Sequence, residues 1–360
     1  MNKNQVLNAY AAYSINQSER CDSSSGGLFS LLAKTVLSQG GVVYGVAMSA
    51  DCRQAEFIRV VNEVDLQYLR GSKYLQAHVG QTFKKVMADL DAGNTVLFSG
   101  TGCQVNALKG FLCGGSYDEK IITEKYSNLY CVDVICHGAP SPALWQEYVK
   151  YVEKQNGAKL VSINFRCKDD SWVDFGMKEI DEKHKQVYIS KDKDPYMLMF
   201  LRDYCLRPSC YECKAKKIKL SDITLADFWG IDRVAPEMND GKGTSLVLIR
   251  TSKGNDLLQE ISNELKLKEV SYEDGVAGNP AEYRSAVRPP ERGSFFDDMH
   301  HLSFEELRMK YGLPATVPFK RKAKAFIKKI LISAKIIGGG QKVNIGNYGI
   351  QFTFENSDRE

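Results

Sequence analysis

The last two cysteines of the chain, Cys210 and Cys213, have two residues between them, and no cysteine follows them. Two thiolates at that spacing converge on one metal ion or on one face of a cubane cluster without strain. With Cys205 the run becomes C-x4-C-x2-C, the opening of a plant-type two-iron site, but such a site needs a fourth cysteine further along. The missing ligands must therefore come from earlier in the chain, and the fold must bring them back to this loop. The best placed are Cys103, in the turn Gly100-Thr101-Gly102-Cys103-Gln104, and Cys136, which ends an apolar run and precedes His137-Gly138. Together these residues would make a cage of four thiolates. Such a cage suits a structural zinc or a four-iron cluster, and spacing alone does not choose between them.

The patterns around these turns predict how they meet. Leu28, Leu31, Leu32, Val36 and Leu37 recur at helical spacing behind Ser23, Ser24 and Ser25, and Gly40-Gly41 closes that helix. Val42 to Met48 reads as a buried strand, Thr82 to Leu90 as a helix, Thr95 to Gly100 as a second strand and Leu129 to Cys136 as a third. A further helix opens at Ser141-Pro142. This alternation predicts an α/β layer, with both cysteine turns at carboxyl ends of strands, where open α/β sheets gather their ligands. After Gly157 the runs Leu160 to Lys168, Val173 to Ile180 and Gln186 to Ser190 have no helix between them, which predicts an antiparallel segment. Tyr196 to Tyr204 then reads as helix, Ile223 to Phe228 and Ser245 to Thr251 as strands, and Leu257 to Leu265 as a last amphipathic helix. The expected class is α/β in the broad sense, α+β, with an N-terminal α/β region over 1–100, a mixed, partly antiparallel cluster-binding region over 101–290 and a tail over 291–360.

Two segments have the chemistry to meet phosphate. Ser24, Ser25, Gly26 and Gly27 stand at a helix start, where backbone N–H groups, hydroxyls and the positive helix end favour an anion, although serine there also serves for capping alone. In Arg70-Gly71-Ser72-Lys73-Tyr74, Gly71 permits close backbone approach, and Ser72, Lys73 and Tyr74 could meet a pyrophosphate or a ring; the alternative is a plain surface turn. His137 is read first as a structural hydrogen-bonder.

Composition narrows the class further. A formal charge of +4 is too slight for a nucleic-acid binder, and no stretch reaches the length of apolar residues that a membrane span needs. The expectation is a cytoplasmic protein, in which ten cysteines are no disulfide framework. Cys21, Cys52, Cys113, Cys131 and Cys167 then read as small buried apolar side chains. From Phe319 onward lysines alternate with isoleucines, so residues 319–337 read as a basic amphipathic helix, either in peripheral contact with the inner face of a membrane or docked on protein.

Several stretches, in order, carry a resemblance: SSSGGLFSLLA (23–33), GSKYLQ (71–76), VLFSGTGCQVNALKGFL (96–112), VDVICHGAPSPALW (132–145), FRCKDDSW (165–172) and RPSCYECKAKKIKLSDITLADFWGI (207–231). They resemble the coenzyme F-420 hydrogenase/dehydrogenase beta-subunit family. The resemblance implies bound FAD and a [4Fe-4S] cluster held by Cys103, Cys136, Cys210 and Cys213, and so favours iron over zinc. With FAD implied, the two phosphate segments become its expected site, at Ser24, Ser25, Gly26, Gly27, Gly71, Ser72, Lys73 and Tyr74, with Thr101 and His137 expected close to the cofactors. Relatives usually show proline where this chain has Gly102, and many carry an N-terminal ferredoxin module, whereas only Cys21 precedes residue 52 here. The expected partners are thus a separate ferredoxin-like donor or a larger redox complex, and a small-molecule acceptor. Shorter bacterial relatives accompany polysaccharide synthesis, which makes F-420 itself a doubtful acceptor. The rival reading is a zinc-stabilised, non-catalytic assembly protein of a polysaccharide-biosynthesis complex.

Overall fold

The computed structural model describes residues 6–169 and 171–314, and the backbone of two short strands within 343–352. Eleven strands belong to the compact unit that runs to Leu313: β1 (Asn8–Ser14), β2 (Val42–Met48), β3 (Ala55–Val60), β4 (Val96–Thr101), β5 (Leu129–Val134), β6 (Leu160–Cys167), β7 (Gly176–Asp181), β8 (Gln186–Ser190), β9 (Ile223–Asp227), β10 (Ser245–Ile249) and β11 (Leu265–Val270). Eight of them form one sheet in the order β11-β1-β10-β9-β5-β4-β2-β3. Its centre, β2-β4-β5-β9, is parallel, and antiparallel strands flank it on both sides.

Parallel strands are covered on both faces and therefore read as unbroken apolar runs. Val96, Leu97 and Phe98 of β4 are all fully buried. Because side chains alternate across a strand, Leu97 and Val43 face the Leu28–Ser38 helix, whereas Val96, Phe98 and Tyr44 face Val86 and Leu90 of the Thr82–Asp91 helix and Val105 and Leu108 of the Gly102–Leu112 helix.

The strands β6-β7-β8 form a separate antiparallel sheet, as expected. It shares an aromatic core with the Pro142–Asn156 and Pro195–Leu201 helices. Trp145 is its hub: the indole lies 4.8 Å from Phe165 and 5.0 Å from Tyr196 between ring centres, and its N–H donates to the Cys52 carbonyl at 2.7 Å. Replacing such a side chain by alanine costs about 3–5 kcal/mol. In the same core the Tyr148 hydroxyl lies 2.5 Å from Glu179 Oε1 and 2.6 Å from Asp194 Oδ2. One phenolic hydrogen cannot be donated to both carboxylates, so one carboxyl must itself carry a proton and donate to the tyrosine.

The sequence reading differs from the structure at four places. Strands β1, β3 and β11 were not expected: β1 is built on Ala9, Ala11 and Ala12, poor strand formers that fit where neighbours approach closely. Leu265 opens β11 rather than closing a helix, because the helix ends at Glu260 and Leu265-Lys266-Leu267-Lys268 then alternates with a strand period. The division after residue 100 falls inside β4, and the division after 290 precedes two helices, Arg292–His301 and Phe304–Tyr311, whose Phe295, Phe304, Leu307 and Tyr311 complete the aromatic core. Contacts instead gather 1–313 into one unit and 314–360 into another, in which β12 (Val343–Gly346) and β13 (Gly349–Phe352) form an antiparallel pair. The expected amphipathic helix over 319–337 lies outside the described residues. Among the described residues no helix is long and apolar enough to cross a membrane.

Candidate functional site

Because β4, β5 and β9 run parallel as neighbours, their carboxyl ends share one edge of the sheet. Thr101 ends β4 and caps the following helix, with the Gln104 side chain accepting from the Thr101 N–H at 2.8 Å; this fixes Cys103 in the first helical turn, exposed to solvent. Cys136 lies two residues beyond β5. Cys210 closes the 3-10 turn Pro208–Cys210, and Cys213 opens the turn Lys214–Lys216. Cys103, Cys136, Cys210 and Cys213 all line one cleft, together with Thr101, Gly102, His137, Lys216 and Lys219.

Backbone and side-chain donors already address this cleft. The Ala139 N–H donates to Cys210 Sγ at 3.4 Å, the Cys213 N–H donates to Ser285 Oγ at 3.0 Å, and Lys216 Nζ donates to the Cys136 carbonyl at 2.6 Å. Thr101 Oγ1 stands 3.1 Å from Cys103 Sγ. Burial pushes the Cys136 thiol up to about 12, with the other three thiols of the cleft adding to the effect, and burial also raises Cys210. Among the described residues no three His, Cys, Asp or Glu side chains stand close enough to share one metal ion. At Gly102 a β-carbon would lie 2.8 Å from Asp133 Oδ2, so the glycine makes room for a buried carboxyl beneath the Cys103 turn. His137 lies with Nε2 2.8 Å from Asp203 Oδ1 and its ring edge-on to Phe200.

The two expected phosphate segments lie against each other. The Ser72 N–H donates to Ser24 Oγ at 2.9 Å, and the two serine hydroxyls are 3.0 Å apart. Most of the loop's polar atoms have partners within the protein: Ser25 Oγ donates to the Thr244 carbonyl and the Gly26 N–H donates to Ser245 Oγ. Gly26 packs on β1 so closely that a β-carbon would meet the Ala12 carbonyl oxygen at 2.5 Å, while Gly27 has a left-handed φ of 90°. Lys73 turns inward to the Tyr68 and Arg70 carbonyls, and desolvation pushes its amine down to about 7. The Leu28–Ser38 helix nevertheless starts without a side-chain cap, and Arg70 reaches its first turn, its Nε donating to Ser30 Oγ at 3.2 Å. First-turn N–H groups beside a guanidinium suit a phosphate better than the serines do.

Sequence reasoning gave no role to a polar knot beside this loop. Arg166 lies 2.5 Å from Asp227 Oδ2 at the end of β9, reaches Tyr74 Oη at 3.4 Å, and stacks over Phe175 and Trp229. Lys168 Nζ donates to the carbonyls of Arg20, Ser25 and Lys242, tying the serine loop down, and desolvation followed by the Arg166 charge lowers its amine to about 8. A cleft of about 350 Å³ opens beside Trp229, whose ring stacks at 5.3 Å on Trp172. Arg166, Lys168, Trp172, Asp227 and Trp229 all lie in the FRCKDDSW and LADFWG stretches, which were the available signal. Of the other cysteines, Cys52, Cys131, Cys167 and Cys205 are buried and Cys113 partly so, whereas Cys21 is exposed, contrary to expectation.

Thiols at the shared carboxyl edge of a mixed α/β sheet define a redox or metal-handling class of protein. The family pattern for the carboxy-terminal part of the coenzyme F420 hydrogenase/dehydrogenase beta subunit matches residues 93–274, about half of the chain and the whole of the cysteine cleft. The chain therefore belongs to the coenzyme F420 hydrogenase/dehydrogenase beta-subunit family. It is an oxidoreductase-family protein with a hydrogenase-beta-like redox role. A chain from the F420-reducing [NiFe] hydrogenase complex of Methanosarcina barkeri has the same fold, with a TM-score of 0.52 at 14% identity over 89% of this chain and 94% of that one. No curated protein matches the chain.

Proposed function

We propose that this protein is an electron-transfer oxidoreductase that holds a [4Fe-4S] cluster on Cys103, Cys136, Cys210 and Cys213 and FAD beside it, taking electrons from a ferredoxin-like donor and delivering them to a soluble acceptor. The observation that carries the reading is the arrival of four cysteines, from three separated segments, in a single cleft. A zinc ion would draw four sulfurs to within about 3.8 Å of one another. Each thiolate of a four-iron cluster binds its own iron, and at this cleft it is the family membership that favours the cluster over zinc. The Ala139 N–H directed at Cys210 Sγ is the type of donor that stabilises cluster sulfur.

For the flavin, the candidate contacts are the uncapped start of the Leu28–Ser38 helix and Arg70, with Ser24 and Ser72 holding the two segments together. Arg166 and Lys168 position that loop rather than the cofactor. When bound, FAD and the cluster would convert between paired and single electrons, which no side chain of this protein can do. The acceptor is proposed to be a small molecule, with surface polysaccharide synthesis as the setting that the sequence resemblance favours. Anaerobically purified protein should be yellow-brown and contain four iron, four sulfide and one flavin per chain, roughly as the two groups require. Colourless protein holding one zinc per chain would replace this reading with the assembly-protein alternative.

A further inference from the structure

We propose that the rim of the thiol cleft is the docking surface for a small acidic electron-carrier protein, an inference that rests on the cluster reading of that cleft. Between Arg207 and Lys219 the chain carries Arg207, Lys214, Lys216, Lys217 and Lys219 against a single carboxylate, Glu212. Lys216 and Lys219 turn inward, to the Cys136 carbonyl and to Glu282. Arg207, Lys214 and Lys217 are exposed, and none of them makes an ion pair among the described residues.

A second segment extends the same rim. Ser285 accepts from the Cys213 N–H, and Arg288 lies 5.3 Å from the centre of the Tyr211 ring, between the two cysteines of the loop. Arg284 and Arg288 are exposed and likewise without an ion pair among the described residues. The apolar residues nearby are also unusually open: Val287 is 80% exposed, Val134 42% and Ile218 39%. Cys103 itself is exposed.

Apolar side chains among unpaired cations, around an accessible thiol, complement a protein with a negative surface and a redox centre near that surface. Opposite charge steers such a partner to the site, and the apolar contacts then hold it at electron-transfer distance. With a cluster held by Cys103, Cys136, Cys210 and Cys213, the carrier would lose one electron and the cluster would gain it, with no bond made or broken and no proton moved. A small free anion would need an enclosed pocket, whereas these cations are spread over an open rim.

The test uses full-length protein purified anaerobically, an acidic two-iron ferredoxin as the reduced carrier, and the methyl viologen radical as a non-protein reductant. The triple variant Lys217→Gln, Arg284→Gln, Arg288→Gln should be reduced by the ferredoxin about tenfold more slowly at low salt, with a flattened dependence on salt. Its iron content and its reduction by methyl viologen should match the unaltered protein. Ferredoxin rates and salt dependence unchanged in an iron-replete variant would overturn the docking surface alone. So would retention on anionic vesicles that the triple variant loses while its ferredoxin rate stays intact. Absence of iron from the unaltered protein would overturn the cluster reading and the docking surface together.

Discussion

The cysteine cleft and the serine-glycine loop present opposite chemistry. In the cleft, the reactive atoms belong to side chains and converge from Cys103, Cys136, Cys210 and Cys213. In the loop, Ser24, Ser25 and Gly26 already bond within the protein, and what remains for a ligand is the backbone of a helix start with Arg70 beside it. A site made of side chains declares itself in residue types; a site made of backbone has its residue types fixed by packing.

The largest effect should come from breaking the first of these. Cys213→Ser should lose nearly all iron and much of its solubility, since the binding free energy of a four-thiolate site is also folding free energy. Cys205→Ser should keep its iron, because Cys205 is fully buried in the aromatic core and does not line the cleft. Iron analysis of both variants checks the assignment, and loss from Cys205→Ser would return the plant-type spacing to consideration.

The loop should respond in the reverse sense. Gly26→Ala places a β-carbon against the Ala12 carbonyl and should cost about 1–3 kcal/mol of stability, read by denaturant unfolding, whatever the flavin content. Arg70→Gln should fold normally yet bind flavin about tenfold more weakly, roughly 1.4 kcal/mol. Unchanged flavin affinity in Arg70→Gln would remove Arg70 from the flavin site.

The smallest effect concerns a polar group sealed from both. Burial raises Glu179 from 4.5 to about 7 and Asp194 from 3.8 to about 6. Both are folded-state values raised above the unfolded ones, so their contribution to stability is fully present below pH 4 and is lost as pH rises through 6 and 7. The melting temperature should therefore fall by a few degrees between pH 5 and 8. Glu179→Gln should flatten that slope, since an amide can donate to Tyr148 without titrating.

The same contrast explains what could be read from sequence. The strands β2, β4 and β5 and the Leu28–Ser38 and Thr82–Asp91 helices were legible because their apolar periods match their burial. The meeting of four thiols in one cleft was legible because few residue types serve as metal or cluster ligands, which singled these cysteines out. Strand β1 was not, since Ala9, Ala11 and Ala12 give no apolar alternation of any size. Gly26 was read as part of an anion site at a helix start, and nothing in the sequence signalled that a β-carbon there would meet the Ala12 carbonyl of a neighbouring strand. Arg166 and Lys168 escaped because their partners, Asp227 and the Arg20, Ser25 and Lys242 carbonyls, are distant in sequence and only the fold makes them neighbours.

Strand β1, the earliest strand described, lies hydrogen-bonded between β10 and β11, the last two of its sheet. On a ribosome β1 is therefore made before either neighbour and must wait until Val270 has emerged before its backbone can be satisfied. During that interval its small alanine side chains offer little sticky surface to other nascent chains, and its unfilled place keeps the growing sheet open. The final closure is a long-range event that joins the two ends of the sheet-forming chain, and it should set the pace at which newly made protein becomes resistant to proteolysis.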